Sequence, residues 1–176
     1  MQIEGLDELI AGPLGKLGLA AVEGEEFRSP PLDVLGYYHR VVRLNALPIV
    51  GRMQSVVAVV RQPVDLGLSG TGTLIERLAR ALDGRFSYRQ GATIGLTALV
   101  LTPEPIGPGD DAALTEVLAQ PRRSRVVPLG LFRLNLGQEA MAMALRPAAD
   151  GLLPDPETLA DALVGHFRRF VPLMVL

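Results

Sequence analysis

Two stretches of the chain are apolar almost without interruption: residues 54–63 around VVAVV, and residues 93–103, TIGLTALVLTP. A strand with one face in water would alternate apolar and polar side chains, so both stretches predict strands buried on both faces. Residues 37–47, 125–136 and 138–147 are rich in β-branched, aromatic or other apolar side chains. These three stretches predict three further strands.

The last two predicted strands are expected to form a hairpin with a tight turn at residues 135–138. Within the first of them stand Pro128 and Gly130. Proline has no N–H to donate to a neighbouring strand, and glycine has no side chain to pack. The two residues therefore predict either an edge strand or a β-bulge.

Apolar side chains recur at helical spacing in residues 73–83, 107–120 and 155–170, which predicts three helices. The last helix has one apolar stripe, formed by Leu159, Leu163, Phe167 and Phe170. Its final residues, Arg168 and Arg169, would complement the negative end of the helix dipole.

The amino-terminal part of the chain predicts less regular structure. Residues 6–19 show helical spacing of apolar side chains. Gly12, Pro13 and Gly15 interrupt that spacing, so we expect a short or broken helix. Residues 22–36 are charged and contain prolines, which predicts a loop.

The predicted order of elements is α-β-β-α-β-α-β-β-α. This order favours one mixed five-stranded sheet with three to four helices packed on it. No internal repeat, low-complexity tract or linker divides the chain. Residues 1–176 are therefore expected to form a single α+β domain.

The composition narrows the chemistry that this domain can perform. The chain has no cysteine, which excludes disulfides, thiolate zinc sites, iron–sulfur clusters and a cysteine nucleophile. Its formal net charge of −2 argues against nucleic acid and anionic membranes as partners. The first residues lack the features of a signal peptide, and no apolar run is long enough for a membrane helix. We therefore expect a cytoplasmic location without membrane contact.

The stretch SGTGTLIERLARAL, residues 69–82, allows two interpretations of its first five positions. Those positions are Ser69, Gly70, Thr71, Gly72 and Thr73. Glycines before a helix can turn backbone N–H groups towards an anion, which makes the stretch a candidate small-molecule or phosphate site. The motif that binds nucleoside triphosphates is incomplete, because no lysine follows the glycines. The motif that binds dinucleotides is incomplete as well, because Ile75 stands where it has its third glycine.

The second interpretation, which the residues favour, is an ordinary helix start. Thr73 and Glu76 have the spacing of a capping box, in which each side chain satisfies a backbone N–H of the first turn. Glu76 and Arg80 are placed for an i,i+4 ion pair. Gly84 stands where such a helix would end.

No residues have the spacing of a catalytic or metal site. His39 and His166 are the only histidines and have no ligand partner at metal-binding spacing. No serine lies in a G-x-S-x-G motif. Asp110 and Asp155 have the positions of helix N-caps, which gives both carboxylates structural roles. We expect no catalytic residue, no metal and no cofactor, and the sequence favours a protein that is not an enzyme.

Two groups of residues are candidates for contact with a protein partner. Tyr37, Tyr38 and Arg40 combine the aromatic and arginine side chains that are enriched at interface hot spots. The final seven residues, FVPLMVL, are almost entirely apolar and require cover from the core or from another subunit. The interface residues predicted in this tail are Phe170, Leu173, Met174 and Leu176.

The sequence therefore favours a protein–protein interaction or scaffold module that self-associates as a homodimer. A mean hydropathy of +0.29 supports a large buried surface. Two alternatives stay open. One is a small-molecule or phosphate-binding protein that uses Gly70 to Thr73 at the helix start. The other is a nucleic-acid accessory protein that uses Arg122, Arg123 and Arg125.

Overall fold

The computed structural model describes residues 10–12, 14–21, 32–44, 51–63, 65–85, 93–121, 124–146 and 155–169. The described strands form one sheet in chain order: β1 (Ala20–Ala21), β2 (Asp33–Leu44), β3 (Gly51–Arg61), β4 (Thr93–Leu101), β5 (Val126–Asn135), β6 (Ala140–Leu145) and β7 (Arg168–Arg169). The helices are α1 (residues 10–12 and 14–16), α2 (Thr71–Arg85), α3 (Asp110–Ala119) and α4 (Asp155–Val164). None of the helices in these ranges is long and apolar enough to cross a lipid bilayer.

The predicted five-stranded sheet is wrong, because the described residues alone form a sheet of seven strands. The five predicted strands correspond to β2 through β6. The two additional strands, β1 and β7, contain two residues each, which is too short for an alternating pattern to reveal them. The α+β class, with helices packed on a mixed sheet, is confirmed.

Strand direction explains where the helices lie. Strands β3, β4 and β5 are parallel neighbours, whereas β2–β3 and β5–β6 are antiparallel pairs. The crossovers through α2 and α3 move in the same direction across the sheet and so place both helices on one face. Buried residues of α1 and α4 cover the other face.

Burial of β3 on both faces is confirmed. Val57 and Val59 pack on the face covered by α1 and α4. Val56, Ala58 and Val60 pack on the face covered by α2 and α3. None of these five residues is more than 4% exposed, and residues 94–101 of β4 are buried in the same way.

Several boundaries differ from the prediction. Strand β2 begins at Asp33, so residues 33–36 belong to a strand rather than to the predicted loop. Helix α4 ends at Val164, and Arg168 and Arg169 form β7 instead of a helix end. The Arg168 N–H donates to the carbonyl of Glu139, the residue before β6, so pairing with the sheet replaces further helical turns.

Strand β5 contains a β-bulge and is not an edge strand. Pro128 lies opposite Leu96, and Gly130 lies opposite Thr97, which leaves Leu129 without a partner in β4. Leu129 is buried. A Cβ added to Gly95 would lie 2.5 Å from the Cδ1 atom of Leu129. A side chain at position 95 would therefore overlap the side chain at the bulge.

The Gly95→Ala variant is expected to lose about 1–3 kcal/mol of unfolding free energy, because the new methyl group overlaps a buried leucine. Chemical denaturation would measure this loss. Gly36→Ala in β2 is the matched control, since its Cβ would meet no atom closer than 3.4 Å. If both variants are equally stable, Leu129 does not restrict position 95.

Candidate functional site

The predicted anion loop lies at the carboxyl end of β3, where the chain enters α2. Residues Leu68–Gly70 form a 3-10 turn, and α2 begins at Thr71. Thr73 is therefore inside the first turn of the helix and does not cap it. The N–H of Gly70 donates to the Gly67 carbonyl (2.9 Å), and the N–H of Thr71 donates to the Leu68 carbonyl. Two N–H groups that could face an anion are used within the turn.

Side chains of the protein account for the glycines near this loop. A Cβ added to Gly70 would lie 2.8 Å from the Cβ of Leu66, and one added to Gly67 would lie 2.9 Å from a carboxylate oxygen of Glu104. A carboxylate beside Gly67 repels an anion at this loop. The anion site at residues 69–73 stays a prediction, and these contacts favour the helix-start interpretation.

The end of helix α2 has a similar structural explanation. The ion pair between Glu76 and Arg80 is confirmed at 3.7 Å. The helix includes Gly84 and ends one residue later. Near this end, Arg125 donates to the carboxylate of Asp83 and, at 2.6 Å, to its carbonyl oxygen. Arg125, one of the three arginines predicted for nucleic-acid binding, is therefore ion-paired.

Arg133 of β5 is the bulkiest fully buried residue in the described part of the chain, at 1% exposure. Its Nη1 donates to Asp110 Oδ2 at 3.0 Å, and its Nη2 donates to Glu104 Oε2 at 2.7 Å. Nη2 also lies 3.1 Å from Gln62 Oε1 and 3.2 Å from Thr102 Oγ1. Two carboxylates and two neutral acceptors thus compensate the desolvation of one guanidinium.

The hairpin between β5 and β6 holds the loop that follows β4. Asn135 Nδ2 donates to the Glu104 carbonyl at 2.9 Å, and Asn135 Oδ1 accepts the Gln138 N–H at 2.9 Å. The Gln138 side chain accepts the N–H of Ile106 at 2.8 Å and donates to its carbonyl at 3.2 Å. These bonds, together with those of Arg133, attach residues 102–110 to the sheet. The polar side chains at this end of the sheet therefore have a structural role.

Asp110 differs from its predicted role as the N-cap of α3. The N-cap is Gly109, which has a φ of 99°, and Asp110 is the first residue of the helix. No side-chain hydrogen bond caps this helix start. The Asp110 carboxylate instead pairs with Arg133, because a buried guanidinium requires an opposite charge.

The carboxyl edge of β3, β4 and β5 lacks the topology of a ligand crevice. Open α/β sheets bind ligands where the strand order reverses and neighbouring helices lie on opposite faces. Here the three parallel strands follow one another, and α2 and α3 share a face. In the described residues, no group of three or more His, Asp or Glu side chains is arranged to hold a metal ion.

The two histidines lie apart in the fold. His39 is on β2, with its Nδ1 atom 3.4 Å from the side-chain nitrogen of Gln54. His166 follows α4 and is exposed. The structure does not bring them together.

The residues predicted for an interface on β2 occupy different environments. Tyr37 is in the core at 3% exposure. Tyr38 is half-buried on the opposite face of the sheet. Arg40 donates to the Leu17 carbonyl, and desolvation by partial burial lowers the pKa of its guanidinium.

Several predicted residues lie outside the described part of the chain. They are Phe170, Leu173, Met174 and Leu176 of the tail, and Arg122 and Arg123, which were predicted for nucleic-acid binding.

The outer edge of β6 is covered from Ala140 to Met143. The short strand β7 pairs with the first two residues of β6, Ala140 and Met141. Beyond them, the carboxylate of Asp111 accepts the backbone N–H of Met143 at 2.8 Å. Covered edges of this kind are typical of proteins that avoid pairing through a strand.

Among the described residues, the outer edge of β2 has less cover. This strand has 12 residues, but β1 pairs only with Tyr38 and His39. From Val41 to Leu44, no strand of the described ranges pairs with the outer side of β2. Val41 is 50% exposed. The edge beyond Arg40 is the candidate interaction surface.

Sequence reasoning missed the roles of Arg133 and Asp111. A signal for Arg133 was present, because it stands in the apolar stretch LGLFRLNL of a predicted strand. A charge at such a position predicts buried partners. Nothing near Asp111 in the sequence indicates that it contacts β6.

No protein-family model, no curated protein and no solved structure matches this chain.

Proposed function

We propose that the protein is an interaction module that self-associates through the outer edge of β2. The observation that supports this most directly is the length of β2. The strand continues from Val41 to Leu44, whereas β1 pairs only with Tyr38 and His39. An unpaired strand edge is a template for pairing with another strand. The exposed apolar side chain of Val41 adds surface that association would bury.

A second copy of the chain is the partner that we infer. Two β2 edges can pair antiparallel about a two-fold axis, so that the same surface is used on both copies. Most soluble oligomers are symmetric homo-oligomers, and two-fold dimers are the commonest. Tyr38 and Arg40 lie on the same strand beside this edge. The apolar tail, residues 170–176, stays a prediction for the same interface.

The Val41→Lys variant is expected to weaken the dimer at least about tenfold, because lysine on an edge strand opposes pairing. Sedimentation equilibrium or light scattering over a concentration series would measure the dissociation constant. Val164→Lys is the matched control, because Val164 on α4 is 49% exposed and receives the same charge. A monomeric wild type, or an equal effect of both variants, would contradict the proposal.

The two other functions predicted from the sequence have less support from the contacts. The N–H groups of Gly70 and Thr71 are engaged within the turn, which leaves fewer donors for a phosphate. Arg125 is paired with Asp83, which reduces the positive charge offered to nucleic acid. That the protein is not an enzyme also stays a prediction.

A further inference from the structure

The carboxylate of Asp111 lies where a longer β7 would continue along β6. The N–H of Arg168 donates to the Glu139 carbonyl at 2.9 Å, and β7 pairs with the first two residues of β6. The N–H of Met143 is bound by Asp111 Oδ1 at 2.8 Å. This carboxylate oxygen takes the position that a carbonyl of the neighbouring strand would occupy.

The side of β6 on which this bond forms follows from the alternation of backbone groups along a strand. The N–H of Arg146 donates inward, to the Leu129 carbonyl of β5 at 2.8 Å. An odd-numbered residue such as Met143 therefore directs its N–H outward, away from β5. The bond to Asp111 therefore occupies an outward N–H of β6 beyond the two residues that β7 pairs with.

Two further interactions hold the Asp111 carboxylate in place. Arg169 of β7 donates to Asp111 Oδ2, and the two side chains are 30% and 21% exposed. Asp111 is also in the first turn of α3, where the helix dipole stabilises a negative charge. The carboxylate thus links α3, β6 and β7.

We infer that Asp111 closes the β6 edge and thereby restricts self-association to the β2 side of the sheet. This inference concerns the size of the assembly and rests on the proposed function. One open edge per copy gives a closed dimer. Two open edges would allow sheets to join end to end without closing. In a purified sample, the strand available to an opened β6 edge is β6 or β2 of another copy.

The test compares Asp111→Ala with two controls by light scattering over a concentration series. Asp111→Ala removes the acceptor for Met143 and is expected to form species larger than a dimer that grow with concentration. Asp111→Asn keeps a carbonyl acceptor, and Arg169→Ala keeps the Asp111 carboxylate, so both should have the wild-type mass. Circular dichroism would establish that each variant is folded. A folded Asp111→Ala protein with the wild-type mass at every concentration would overturn the inference.

Hydrogen exchange in the wild type tests the closure without any variant. The Met143 amide should be protected to a similar degree as the amides of β6 that bond to β5. Rapid exchange at Met143 would overturn the inference even if Asp111→Ala failed to fold.

The Val41→Lys background separates this inference from the proposed function. Val41→Lys with Asp111→Ala should associate through β6, whereas Val41→Lys alone should show only the weakened association through β2. If the wild type is monomeric, association through β2 is wrong. In that case, Asp111→Ala dimers would still support closure by Asp111, and Asp111→Ala monomers would overturn it.

Discussion

The Val59→Asp protein is expected to be unfolded or insoluble. Val59 is 4% exposed on the central strand β3 and packs on the face covered by α1 and α4. Its neighbours there are apolar, so a carboxylate would be buried without a partner. The penalty of several kcal/mol is comparable to the whole stability of a typical domain, about 5–15 kcal/mol.

Solubility and circular dichroism would measure the result, with Val41→Asp as the control. Val41 lies on the neighbouring strand and is half exposed, so the same substitution there should keep the fold. A soluble Val59→Asp protein that unfolds cooperatively would show that β3 is not central to the core.

Replacing Arg133 by alanine is expected to reduce the unfolding free energy by about 3–5 kcal/mol, the usual cost of removing one partner from a buried ion pair. The substitution leaves the carboxylates of Glu104 and Asp110 without their shared cation. It also removes the donor to Gln62 and Thr102. Chemical denaturation would measure the loss.

The control for Arg133 is an exposed ion pair elsewhere in the same sheet. Arg61 and Asp33 are 2.6 Å apart, with side chains 51% and 53% exposed. Arg61→Ala should change the unfolding free energy by no more than about 1 kcal/mol. If the two arginine variants are equally stable, the buried cluster does not attach the β4–α3 loop to the sheet.

Local patterns along the chain predicted the long elements well. The uninterrupted apolar stretches became β3 and β4, because burial on both faces removes the need for polar positions. Pro128 and Gly130 indicated an edge strand or a bulge, since their restrictions act within one or two residues, and the bulge is the alternative that the structure shows. The helix predicted over residues 155–170 is longer than α4, which ends at Val164. The prediction was too long because apolar side chains at helical spacing continue past the point where the chain joins the sheet.

The candidate sites were less predictable. The sequence located a helix start at residues 69–73, but it does not show that the N–H groups of Gly70 and Thr71 bond within the turn. The partners of Arg133 come from three other segments, with Gln62 lying 71 residues away. No local spacing brings such residues together.

By itself, the sequence determined the α+β class, the five longer strands and the strands that are buried on both faces, because hydrophobic periodicity acts between residues close in the chain. The tertiary structure decided the two shortest strands and the contacts of Asp111 with β6 and β7. A two-residue strand has no periodicity of its own and exists only through its partner. Asp111 lies 32 residues from Met143 and 58 from Arg169, so these contacts arise only when the folded sheet brings distant residues together.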